Sequence, residues 1–129
     1  MNKSSFALLL KRKVKAFHYL IGGDWGKENQ RHAHLYEIEV RLEATRLDKN
    51  GYLIDLVKLQ AACDQQLSYF RNATLNDLRE FKELNPSLEH FARIFCRAIL
   101  PRIRHQHLQG IAVKISEDKD ASAVYYERL

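Results

Sequence analysis

The sequence predicts an α+β fold, in which two helices pack on one face of an antiparallel sheet. Three observations predict it. Two long strand-like segments come first, two segments with helical periodicity follow, and shorter strand-like segments end the chain. No internal repeat, low-complexity tract or linker interrupts this order. The chain has 129 residues, which is enough for one domain, 1–129, with its own core.

The composition is that of an ordinary globular protein, with 46% hydrophobic and 29% charged residues. No apolar run approaches the roughly 18–20 residues that cross a membrane. The short apolar run 6–10 precedes a basic run, which is the reverse of a signal peptide. We therefore predict a cytoplasmic protein with no membrane partner. The two cysteines, Cys63 and Cys96, are too few for a disulfide framework and are predicted to be buried free thiols.

The net charge of +5 raises the question of a nucleic-acid partner. However, basic residues are scattered among acidic ones, except in segments 11–15 and 102–107. Neither segment interleaves its charges with aromatic residues, as a single-strand binding platform does. The pattern argues against a nucleic-acid partner and suits an anionic small substrate.

The first two strands are predicted over about 6–18 and 31–45. The first ends before Gly22 and Gly23, which signal a loop. In the second, Tyr36, Ile38 and Val40 alternate with charged residues, so one face is apolar and the other is solvated.

Two helices are predicted next. Asp55 can cap the first, whose apolar stripe repeats at helical spacing. Segment 76–85 is predicted to be a loop with a partial turn. Ser87 is a plausible N-cap of the second helix, and Pro101 with the polar segment after it is expected to close or kink this helix.

The last two strands are predicted over about 111–117 and 124–127. In the first of them Ile111, Val113 and Ile115 share a face. By the same period of two, Glu117 points toward the core side at the end of that strand.

The most informative motif is His32-Ala33-His34. Residues two apart on a strand project to the same face, so both imidazoles lie on the apolar face of the second strand. His18 ends the preceding strand, and an antiparallel hairpin would bring it beside the pair. Three imidazoles with one open position are typical of a catalytic zinc site. The alternative is that these histidines are ordinary polar residues.

Two carboxylates could work beside this site. Glu117 could accept paired N–H bonds from a heterocycle at the mouth of a pocket, or could simply lie in water at a strand end. Glu28 precedes His32 by four residues in a loop and could act as a general base, or could be a solvated surface residue. His90, His105 and His107 show no pattern that indicates a role.

Several motifs together resemble 6-pyruvoyltetrahydropterin synthases and their bacterial relatives, the 6-carboxytetrahydropterin synthases. Each motif is short, but they occur in the family's order over nearly the whole chain. They are Val14-Lys15-Ala16-Phe17-His18, His32-Ala33-His34-Leu35-Tyr36, Gly51-Tyr52-Leu53-Ile54-Asp55-Leu56, Leu75-Asn76-Asp77, Asn85-Pro86-Ser87-Leu88-Glu89 and Val113-Lys114-Ile115-Ser116-Glu117.

The resemblance implies a tunnelling fold, in which the sheets of several subunits close into a barrel. It implies a homo-oligomer, a trimer or a hexamer, with active sites between subunits. It also implies zinc held by His18, His32 and His34. A pterin ring would be held by Glu117, with Ser87 standing where the family usually has threonine.

Two departures from the family bear on activity. Glu28 stands where the family usually has a catalytic cysteine, and Arg71 and Asn72 replace an Asp-His pair. A branch of the family with glutamate at the first position cleaves the side chain of dihydroneopterin triphosphate to give 6-hydroxymethyl-dihydropterin. The hypothesis is that Glu28 is the base and that Arg71 helps hold an anionic side chain.

Three functions remain open from the sequence. The leading one is a zinc-dependent lyase that acts on a pterin. The second is a protein that binds zinc and pterin without turnover, since the cysteine and the Asp-His pair are all replaced. The third is a basic structural or nucleic-acid-binding module.

Overall fold

The computed structural model describes residues 4–105 and 107–129. Within these residues there are four strands and two helices, together with three short 3-10 helices. The strands and helices are β1 (Phe6–His18), β2 (His32–Ala44), α1 (Leu56–Phe70), α2 (Leu88–Ile103), β3 (Gly110–Ser116) and β4 (Ser122–Arg128). The 3-10 helices are Gly26–Asn29, Leu75–Asp77 and Arg79–Phe81.

The strands form one antiparallel sheet in the order β1-β2-β3-β4. In the long β1–β2 hairpin Phe6 lies opposite Ala44, and the register runs without a break to His18 opposite His32. Both helices cover one face of this sheet, so the predicted α+β fold is confirmed. The register matters for function because it sets two histidines directly opposite each other.

The core lies between the sheet and the two helices. Alternate residues of β1, β2 and β3 are buried on the helix-facing side, as the period of two predicts. The apolar stripes of α1 and α2 pack against them. Phe91 of α2 meets the ring of Tyr36 edge-on, with 5.1 Å between ring centroids. This contact brings the N-terminal half of α2 close to the histidine end of β2.

The structure sets the bounds of three predicted elements. Pro101 lies inside α2, which ends at Ile103, within the polar segment that was predicted to close it. Burial of Ile103 keeps the last turn helical, although proline removes one backbone donor there. Segment 76–85 contains most of two 3-10 helices, and β4 extends from Ser122 to Arg128.

Asp55 caps α1 as predicted, because its side chain accepts a hydrogen bond of 2.9 Å from the Val57 amide. We expect Asp55→Ala to lower the free energy of unfolding by about 1 kcal/mol. Asp55→Asn should keep most of that stability, since asparagine is an equally good cap. Urea denaturation of the three proteins checks this. An alanine variant as stable as the asparagine variant would contradict it.

Across the described residues, no helix combines the length and the apolar character needed to cross a membrane. The cytoplasmic location stays a prediction.

Candidate metal centre

Three histidines meet at one end of the β1–β2 hairpin. His18 is the last residue of β1 and pairs with His32, the first residue of β2. His34 follows two residues later on the same face, opposite Ala16. One nitrogen from each ring lies within 4.8 Å of those from the other two. This triad could hold a metal ion.

Backbone carbonyls orient two of the three rings. Nδ1 of His18 lies 3.0 Å from the carbonyl oxygen of Pro86, and Nδ1 of His32 lies 2.7 Å from that of Gln30. A carbonyl only accepts hydrogen bonds, so each Nδ1 carries the proton and donates it. The Nε2 atoms are then left unprotonated, which is the form that ligates a metal.

The triad fits a metal because two of its nitrogens otherwise lack partners. Nε2 of His32 and Nε2 of His34 are buried, and neither has a hydrogen-bond partner among the described residues. A buried polar atom without a partner costs free energy, and a bound cation would remove that cost. Neutral imidazole nitrogens are also the ligands that zinc prefers.

His18 is the most deeply buried member, with 4% of its surface exposed. Its pKa is lowered from 6.5 to about 4, chiefly by burial and to a smaller extent by the neighbouring His32 and His34. The Pro86 carbonyl and the charge of Glu28 act in the opposite direction. The ring is therefore neutral near pH 7 and ready to bind a cation.

Glu117 lies directly beside the triad. It follows the last residue of β3, and its Oε2 is 3.5 Å from Nε2 of His34. The contact is not a hydrogen bond, because Nε2 of His34 has no such partner in the described structure. The carboxylate is partly exposed, so it can face both the triad and a bound molecule.

Glu28 lies in the 3-10 helix Gly26–Asn29 between β1 and β2. Its carbonyl accepts a hydrogen bond of 2.8 Å from the Leu20 amide, which holds this helix against the end of β1. The Asn29 side chain adds bonds of 3.0 Å to the carbonyls of Leu20 and Gly23. The Glu28 side chain is exposed, and its charge acts on His18.

Ser87 and Arg71 occupy different surroundings. Ser87 is the N-cap of α2, and its Oγ accepts a bond of 3.1 Å from the His90 amide. It adjoins Pro86, whose carbonyl holds His18. Arg71 is exposed at the C-terminal end of α1, and its guanidinium has no hydrogen-bond or ion-pair partner within the described chain.

Two asparagines that the sequence analysis assigned no role hold the chain just after His18. The Asn76 side chain forms a pair of bonds with the backbone of Tyr19, of 3.0 and 2.9 Å. Asn85 accepts a bond of 3.0 Å from the Ile21 amide. Both belong to motifs that carry the family resemblance, which was the only signal available for them.

The basic segment at 11–15 is partly neutralised. Lys11 lies 3.7 Å from the Glu39 carboxylate, and Arg12 bonds Asp64 at 2.8 Å. His105 and His107 pack against each other, with ring centroids 5.6 Å apart, and neither joins the triad.

Cys63 and Cys96 are buried free thiols, as predicted. Burial raises the pKa of Cys63 to about 11 and that of Cys96 to about 12. We expect neither thiol to react with a disulfide reagent at pH 8 in the folded protein, because the thiolate is the reactive form. Both should react once the protein is unfolded in guanidinium. Rapid labelling of either cysteine in the folded protein would contradict this.

Comparison with known proteins identifies what the chain is similar to. The sequence model of the family described as 6-pyruvoyl tetrahydropterin synthase matches residues 8–128. The search of curated proteins gave no match.

Solved structures of the same kind share the fold. The 6-pyruvoyl tetrahydropterin synthase of Caenorhabditis elegans is 20% identical, with a TM-score of 0.82 and 96% of each chain covered. The Plasmodium vivax 6-pyruvoyltetrahydropterin synthase, in a variant whose catalytic glutamate is replaced by cysteine, is 13% identical. Its TM-score is 0.80, with 98% of this chain and 100% of that one covered. A dihydroneopterin aldolase of Burkholderia thailendensis bound to guanine is more distant, with 12% identity, a TM-score of 0.52 and coverage of 97% and 92%.

Proposed function

The chain belongs to the 6-pyruvoyl tetrahydropterin synthase family, and on that premise we propose that it is a zinc-dependent lyase acting on dihydroneopterin triphosphate or a related pterin. One observation carries the proposal. Three imidazoles converge, with Nε2 of His18 and of His32 unprotonated. Two carboxylates come from neighbouring segments, Glu28 from the segment after β1 and Glu117 from the end of β3.

Zinc would be held by His18, His32 and His34. When bound, it would polarise an oxygen of the substrate side chain and so weaken the neighbouring C–H or C–C bond. The carbonyls of Pro86 and Gln30 hold the Nδ1 protons of His18 and His32, and burial disfavours the charged form of the His18 ring. The described chain offers three ligands, which leaves a position for substrate.

Glu117 and Ser87 would bind the pterin ring. A carboxylate can accept two N–H bonds from the amino and ring nitrogens of a pterin, and such charge-assisted pairs are short and directional. The Ser87 oxygen already accepts the His90 amide, so its own hydroxyl proton remains to be donated to the ring. The position of Glu117 beside His34 supports placing the ring next to the triad.

Glu28 would be the base that removes a proton from the substrate side chain. Three observations support this role. Its charge reaches His18, backbone bonds hold its segment against the end of β1, and a Plasmodium vivax relative uses a catalytic glutamate. Arg71 would bind an anionic part of the side chain, since its guanidinium is exposed and has no partner among the described residues.

The test is anaerobic incubation of the zinc-loaded protein with dihydroneopterin triphosphate, with products identified by mass. Release of 6-hydroxymethyl-dihydropterin would support the lyase. Substrate that stays bound and unchanged would instead support the second candidate, a zinc- and pterin-binding protein without turnover. The exposed Arg71 and Asn72, where the family has an Asp-His pair, are the observation that favours that candidate.

The active site would lie between copies of this chain. The sheet's two outer strands, β1 and β4, each pair with another strand of the described chain on one side only. Leu35, Val124 and Tyr126 are exposed on the face away from the helices. We expect light scattering after gel filtration to give a mass of three or six chains. A monomer of 15.1 kDa would contradict the barrel assembly.

A further inference from the structure

The side chain of Tyr36 is buried beside the triad, and no part of the proposed reaction uses it. It follows His34 by two residues on β2 and faces the same side of the sheet. Only 1% of its surface is exposed. Its hydroxyl oxygen lies 3.2 Å from Nδ1 of His18, and its ring centroid lies 5.5 Å from that of His34. One side chain thus contacts two of the three histidines.

The hydrogen bonds around His18 fix the role of this hydroxyl. Nδ1 of His18 has two oxygen neighbours, the Pro86 carbonyl at 3.0 Å and the Tyr36 hydroxyl at 3.2 Å. The carbonyl requires a proton on Nδ1, so the hydroxyl faces an N–H and accepts from it as a second acceptor. Two acceptors on one N–H group restrict rotation of the His18 ring about the bonds of its side chain. Nε2 is then aimed toward His32 and His34.

The ring of Tyr36 supports His34 in a different way. His32 and His18 each have a backbone carbonyl behind the ring, whereas His34 has no hydrogen-bond partner within the described chain. Its ring is held by edge contacts with His18, His32 and Tyr36. Phe91 also meets Tyr36 edge-on, with 5.1 Å between ring centroids, and helps to keep the tyrosine ring in place.

From these contacts we propose that Tyr36 is the positioning residue of the metal centre. It orients His18 through its hydroxyl and His34 through its ring, and so sets the geometry in which zinc binds. The inference rests on the proposed zinc site and deepens it. Removing a residue that contacts and orients a metal ligand typically lowers the metal affinity about 10- to 100-fold.

The experiment compares Tyr36→Phe with Tyr69→Phe. The first removes the hydroxyl at His18 and keeps the ring, while the second removes an exposed hydroxyl that bonds Glu80 at 2.6 Å. We expect Tyr36→Phe to raise the zinc Kd about 10-fold and to shift the visible absorption bands of the cobalt-substituted protein. Tyr69→Phe should change neither.

A general loss of stability would lower the melting temperature without moving the cobalt bands, so the two readouts separate positioning from packing. A zinc Kd for Tyr36→Phe within twofold of the unaltered protein, with unchanged cobalt bands, would overturn the inference. Failure of the unaltered protein to bind zinc would overturn it together with the metal site. Protein that binds zinc but releases no product would refute only the lyase, and the effect of Tyr36→Phe on zinc binding would still be seen.

Discussion

Replacing His32 with alanine should weaken zinc binding by about 100- to 1,000-fold. This range follows if each ligand contributes a quarter of the binding free energy of about 10–16 kcal/mol that is typical of four-ligand zinc-finger sites. The reason is geometric. His32 lies directly opposite His18 in the hairpin, and its Nε2 is buried without another partner, so no other described side chain replaces it. Competition with a zinc-binding dye measures the affinity.

His107→Ala is the matched control, because His107 packs on His105 away from the triad. It should leave the zinc affinity unchanged. The His32→Ala variant should still fold, since its ring is only partly buried and the hairpin bonds are backbone bonds. Equal zinc affinity in the two variants would refute the triad as the zinc site.

Replacing Glu28 with glutamine should lower kcat about 100- to 10,000-fold while the zinc Kd stays the same. Glutamine keeps the size of the side chain but cannot accept a proton as a base. The surrounding 3-10 helix depends on backbone bonds and on Asn29, so it should be unaffected. Steady-state rates on dihydroneopterin triphosphate and a zinc titration measure the two quantities.

Two control variants sharpen this result. Glu83→Gln changes another exposed glutamate and should leave kcat unaltered. Cys63→Ser should also retain activity, because the buried thiol has a raised pKa and lies on the core side of α1. Full activity in Glu28→Gln would exclude Glu28 as the base. Loss of activity in Cys63→Ser would indicate that a thiol acts in its place.

Periodicity was sufficient to predict the sheet and the grouping of the three histidines. An alternating strand fixes which residues share a face, and antiparallel pairing of a strand that ends at His18 with one that begins near His32 brings these residues together. The inward direction of Glu117 follows from the same count along β3, and the structure places it beside His34. The face of a strand on which a residue lies depends only on its position along that strand, so it can be predicted from the sequence.

Contacts between distant segments could not be predicted in this way. The carbonyl that orients His18 comes from Pro86, and the amides that hold the next residues come from Asn76 and Asn85. No spacing rule relates these positions to β1. The extension of α2 beyond Pro101 also depended on tertiary burial, in this case that of Ile103, which overrode a local signal.

The hairpin of His18, His32 and His34 has consequences for the order of events during synthesis. All three imidazoles leave the ribosome early and within one hairpin, but the carbonyl that orients His18 follows 68 residues later. A nascent chain therefore contains all three imidazoles before it contains the carbonyl that orients His18. Tight binding of a metal at this triad would have to wait until α2 docks, which would couple metal loading to synthesis of the chain at least as far as Ile103.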